Sequence, residues 1–217
     1  MKWKLAFVAL CVALLAPGVS SAATLDFATG NGGAGGTIID LGGGNAMGSG
    51  IFIDSLTVTV SGVSTVYDVD GVACGTNGSI SCGVLSFDTT SSDKFIKITG
   101  SVPSLSVGST DLFAGSMATW SFTPSAAGAA FLATGSDVKD PALLSALNIK
   151  PGTPFNFIGV TIGFVPEASC GPNCYVAINT SFLNTPGVGE NAVPEPGTLM
   201  LIGGGLLGLV RARRRVA

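Results

Sequence analysis

The side chains of this 217-residue chain able to do chemistry are few: five cysteines, thirteen Asp+Glu, ten Lys+Arg, many hydroxyls, and no histidine. Without His there is no Ser-His-Asp or Cys-His catalysis, no His-based zinc motif and no imidazole pH switch. Cys11 lies in an apolar N-terminal run, which leaves Cys74, Cys82, Cys170 and Cys174. An even set predicts disulfides wherever the chain meets an oxidising compartment. Three pairings are formally open, and the local ones are expected: Cys74 with Cys82 around a Gly/Asn turn, Cys170 with Cys174 around Gly171-Pro172. Each short loop is worth about 2–3 kcal/mol in the chain-entropy model. A four-cysteine zinc site would need reduced thiols and prefers two-residue spacings, as a redox pair does, whereas three residues separate Cys170 from Cys174.

The carboxylates are less specific. Asp68-Val69-Asp70-Gly71 opens like a calcium loop, but the twelfth position is Ser79 rather than Glu, so an exposed turn is expected. Nothing singles out two acids for glycoside hydrolysis, and Glu167 and Glu190 both sit in Pro/Gly-rich stretches. The glycine runs 30–36 and 42–44 lack the Lys-Ser/Thr of a phosphate-binding loop and precede β-type sequence, so they read as connections between early strands. Trp120 and Phe122, two apart, offer a sugar-stacking face or the core side of one strand; the core side is expected. No metal, no cofactor and no enzymatic activity follow from these residues.

The elements that must carry them read as β. Alternation runs through Ile51–Val60, Val63–Val69, Val84–Thr89, Phe95–Thr99, Ala118–Phe122, Phe155–Phe164 and Cys174–Phe182, with Gly, Ser, Pro and Asn at the junctions. One helix is marked by Asp140 as N-cap and Pro141 at its first position, ahead of Ala142–Leu147. The fold class predicted is all-β, an antiparallel jelly-roll-like sandwich with one short helix, flanked by an N-terminal signal helix and a C-terminal apolar helix. Between positions 23 and 192 four lysines face twelve acids, a net charge of −8, which disfavours nucleic acid as a partner.

The ends differ from the middle. Lys2 and Lys4 precede the apolar run Leu5–Ala16, Pro17-Gly18 breaks it, and Ser20-Ser21-Ala22 supplies small residues. This is the layout of a secretory signal over residues 1–22, cut after Ala22 or Ala23 by signal peptidase following the Sec translocon. At the other end Pro194-Glu195-Pro196-Gly197 leads into an apolar stretch, 198–210, followed by Arg211, Arg213, Arg214 and Arg215. Thirteen residues of helix rise only ~20 Å, short for a bilayer core of ~30 Å. The arginines would nevertheless act as a stop-transfer signal, giving a transient inner-membrane insertion.

Motif, apolar span and basic cluster, in that order over Val193–Ala217, resemble the PEP-CTERM sorting signal of Gram-negative, exopolysaccharide-producing bacteria. The resemblance implies recognition by an exosortase in the inner membrane, removal of the span, and release or attachment at the cell surface. The expected organisation is a signal peptide at 1–22, a β-domain at 23–192 and a sorting signal at 193–217. The expected function is that of an exported surface or extracellular-matrix protein associated with exopolysaccharide or biofilm. The alternative is a secreted carboxylate-dependent glycan hydrolase or a calcium-dependent adhesion module.

Overall fold

A computed structural model describes residues 23–29, 35–74, 80–125 and 128–186, all within one compact unit that spans Ala22–Gly187. The expected signal and C-terminal apolar helices lie outside the described residues. The described chain forms twelve strands: β1 (Thr24–Ala28), β2 (Gly35–Gly42), β3 (Asn45–Ile53), β4 (Ser55–Val60), β5 (Val63–Asp68), β6 (Val72–Cys74), β7 (Ile80–Asp88), β8 (Phe95–Val102), β9 (Val107–Phe122), β10 (Ala129–Lys139), β11 (Phe155–Pro166) and β12 (Cys174–Pro186). The α-helix among them, α1 (Pro141–Ala146), starts where its sequence signals place it, with the Asp140 carboxylate accepting from the N–H groups of Ala142 and Leu143.

The strands do not form a sandwich. Antiparallel pairing runs β11-β10-β9-β8-β7-β3-β2-β12, and β12 pairs back onto β11, which closes an eight-stranded barrel. The jelly-roll expectation is thus overturned, for a reason that lies in the long-range pairings. In-out alternation is the same in a sandwich and in a barrel. Closure is decided by β12, whose one edge holds β11 throughout while its other edge pairs Cys174–Ala177 with β2. Further along that same edge β12 pairs with β1, and β4 and β5 follow to make a short sheet branching from the barrel.

Bulges give the long strands the coil that closure needs. Register shifts interrupt β9–β10 and β10–β11 at Gly135, where an added Cβ would overlap the Ser116 carbonyl oxygen and the Phe157 ring. A second irregularity splits the expected strand Ile51–Val60. Ile53 is buried, Leu56 is the next buried residue, and the shift of parity falls at Asp54, whose N–H donates to the Ala28 carbonyl and whose carbonyl accepts from Val69 N–H. The early glycines are not only connections: Gly35, Gly36 and Gly42 belong to β2, and Gly43-Gly44 make its hairpin turn into β3.

The interior is built from rings. Phe27, Phe87, Phe113, Phe131, Phe155, Phe157, Phe164 and Phe182 are all fully buried. Phe87 stacks on Phe131 with centroids 4.2 Å apart, and Phe122 stacks on Phe164 at 5.1 Å with Tyr175 edge-on to both. Burial at this scale is the dominant stabilising term, about 1.5–3 kcal/mol for each large apolar side chain.

Candidate functional site

Of the residues singled out in the sequence, the sorting motif Pro194–Gly197, the arginines 211 and 213–215, and Ala22 lie outside the described residues. Ala23 is buried at the foot of β1. Cys74 is bonded to Cys82 and Cys170 to Cys174, the local pairings. The first ties β6 to β7, and the second closes the turn that leads into β12.

Asp68 and Asp70 flank a residue packed into the core. Val69 between them is fully buried, its N–H bonds Asp54 O, and Asp70 exchanges backbone hydrogen bonds with Ser101. Gly71 is required because a Cβ there would press on the Cys82 carbonyl oxygen at 2.8 Å. Asp54, Asp68 and Asp70 do line one open groove with Val66 and Ile80. Among the described residues, however, no three Asp, Glu or Cys side chains are grouped so as to hold a metal ion. Phe122 is buried and Trp120 is partly buried against the core, with the Lys94 ammonium 5.0 Å from the Trp120 ring.

The most unusual chemistry is inside the barrel, on residues the sequence reading passed over. Asp137 and Lys139 stand two apart on the inward face of β10, and both side chains are wholly shielded from solvent. The Lys139 ammonium is paired with Asp137 Oδ2 and donates to Asn184 Oδ1 on β12 at 3.1 Å. Asn184 is itself fully buried. The rings of Phe113, Phe155 and Phe27 surround the Lys139 nitrogen at 4.4, 4.8 and 6.0 Å. Asp137 Oδ1 has no hydrogen-bond partner in this enclosure.

Burial dominates the ionisation of the pair. It drives the Lys139 amine down to about 8, against the opposing pull of Asp137, and drives the Asp137 carboxyl up, against the pull of Lys139. The two groups are thereby brought toward a shared proton. The sequence did carry a signal: Asp-Val-Lys at 137–139 places two opposite charges on one face of a strand whose other inward residues, Phe131 and Ala133, are apolar.

No curated protein and no solved structure matches the chain. Residues 192–215 match the PEP-CTERM protein-sorting motif.

Proposed function

We propose, starting from a chain that carries a PEP-CTERM sorting motif and is thereby an exported, exosortase-processed protein of a Gram-negative-type envelope, that its barrel is the displayed cargo. The barrel acts at the cell surface or in the extracellular matrix, as a non-enzymatic component associated with exopolysaccharide. The observation that carries this reading is the sorting motif, in the order Pro-Glu-Pro, apolar span, arginines.

Two features of the described domain support it. The chain has no histidine, which removes imidazole-based catalysis. Its outward faces are rich in hydroxyls: Thr57 and Thr59 point away from the buried Leu56 and Val58, Thr59 shares a 2.8 Å hydrogen bond with Ser64, and Thr119 shares one of 2.6 Å with Thr134. Rows of hydroxyls on outward strand faces suit the hydrogen bonding of a neutral or cationic polysaccharide, and an acidic domain would repel an anionic one.

Replacing Pro194-Glu195-Pro196 by alanines should leave an uncut precursor in the inner membrane, detected by fractionation and intact mass. Normal release of that variant would overturn the sorting step. Loss of the protein should weaken floc or biofilm, and the purified chain should bind exopolysaccharide from its host. An unaltered biofilm together with no binding would remove the matrix role.

A further inference from the structure

The enclosure around Lys139 has a composition that a packing role does not explain. Taking a carboxylate and an ammonium out of water costs several kcal/mol for each ion, and the attraction between them often fails to repay it. Elsewhere the same core is filled by stacked rings and aliphatic side chains. At this one place a primary amine, a carboxamide and a carboxyl group with a spare oxygen are held together, shielded from solvent.

We propose that Lys139 and Asn184 form an intramolecular amide bond once the barrel has folded, with Asp137 as the proton carrier. The Lys139 nitrogen lies 3.1 Å from Asn184 Oδ1, so the carboxamide carbon is one C=O bond further on, and a turn about the Asn184 side-chain torsions presents it to the amine. Asp137 takes a proton from the ammonium through Oδ2. The neutral nitrogen then attacks Asn184 Cγ, and the C=O electron pair moves onto oxygen. The carbonyl re-forms as Nδ2 leaves as ammonia, carrying the proton that Asp137 returns, and Asp137 takes the second proton from the Lys139 nitrogen, so that it ends as a neutral carboxyl beside a neutral amide. One N–C bond forms, one C–N bond breaks, and ammonia is lost; no oxidant or co-reactant is needed.

The surroundings favour each step. A desolvated amine is the reactive form of a lysine nucleophile, and the lowered pKa of the amine and raised pKa of the carboxyl both favour moving the proton from Lys139 to Asp137. The unpartnered Asp137 Oδ1 leaves one oxygen of the carrier free to serve the leaving nitrogen while the other faces the amine. The bond would also discharge the buried pair, replacing two ions by a neutral amide.

Its placement is mechanical. Lys139 is the last residue of β10, and Asn184 lies two residues before the end of β12. These strands are not neighbours, since β11 runs between them. A covalent tie would carry load from β12 straight to β10. β12 is the strand nearest the sorting motif, so where the protein is held by its C-terminal side the tie protects the strand that is pulled first. That last consequence rests on the display reading; the bond itself does not.

The test is the intact mass of the full chain recovered from an exporting Gram-negative host, with disulfides reduced and termini mapped. We expect 17 Da less than the mass of its own sequence, no tryptic cut after Lys139, and a branched chymotryptic peptide joining Lys139 to Asn184. Asn184→Ala, Lys139→Arg and Asp137→Asn should each restore full mass and the tryptic cut. A wild-type chain of full mass, cut normally after Lys139, overturns the proposal, and this holds whether or not any variant folds. So does a 17 Da loss that persists in Lys139→Arg, which would mean ring closure of Asn184 on its own backbone. An 18 Da loss that survives Asn184→Ala overturns it too, as condensation with Asp137 instead. Failure of the sorting variant above would leave all these masses unaffected.

Discussion

Two groups of rings fill this barrel, and they solve different problems. Around Phe87–Phe131 and Phe122–Phe164–Tyr175 the contacts are ring on ring, stacked or edge-on, with no charged atom among them. Around Phe27, Phe113 and Phe155 the rings instead enclose the Lys139 nitrogen, which is paired with Asp137 and Asn184. The first arrangement shows that apolar packing is sufficient to line these strands. The second therefore needs another reason, because a buried pair is weak evidence for stability in itself.

The largest effects break the comparison from either side. Phe131→Ala, on the dry side, removes a fully buried ring stacked on Phe87 and should lower unfolding free energy by about 3–5 kcal/mol in urea titration. On the polar side the informative background is Asn184→Ala, in which no amide bond can form. There Lys139→Met strands the Asp137 carboxyl and should cost about 3–5 kcal/mol, most of which returns when Asp137→Leu is added. If Lys139→Met were harmless in that background, the two interiors would be equivalent and the polar one merely tolerated.

Smaller changes sharpen the contrast from outside both groups. Replacing Cys74 and Cys82 by alanine should cost about 2–3 kcal/mol and leave the mass change at Lys139 intact, because that bridge ties β6 to β7 at a distance in sequence from β10 and β12. Asp140→Ala removes the cap of α1, immediately after Lys139, and should cost ~1 kcal/mol with a modest slowing of amide-bond formation followed by time-resolved mass.

The smallest effect is a pH dependence at Asp88. Partial burial raises its carboxyl, but hydrogen bonds from Thr90 N–H, the Thr90 hydroxyl and Ser91 N–H outweigh that and hold it below the usual carboxylate value of 3.8. A depressed carboxyl stabilises the folded state above its unfolded value, and that contribution disappears as pH falls through its folded value. Asp88→Asn should therefore flatten the acid limb of the melting-temperature profile below about pH 4 and leave the neutral region almost unchanged.

Much of the local structure was legible in the residues. The capping pair Asp140-Pro141 located α1, alternation located the inward Leu56, Val58, Phe155 and Phe157, and short spacing matched Cys74 to Cys82 and Cys170 to Cys174. The parity change at Asp54 was not legible, because it depends on hydrogen bonds to Ala28 on β1 and to Val69 just past β5. Nor was the meeting of Asn184 with Lys139. Asn184 is 45 residues from Lys139, and no local pattern announces that β10 and β12 flank β11 in a closed sheet.

The sequence by itself determined the address of this protein, since a sorting signal is read as a linear order of motif, apolar span and charge, with no fold required. It also determined which strands alternate and which cysteines are near enough to pair. Only the tertiary structure decided that the sheet closes into a barrel rather than splitting into a sandwich, because closure rests on β12 meeting both β11 and β2. Only that closure brought an aspartate, a lysine and an asparagine into contact away from solvent. The physical reason is the same in both cases: solvent exclusion is a property of the assembled walls, and no single strand possesses it.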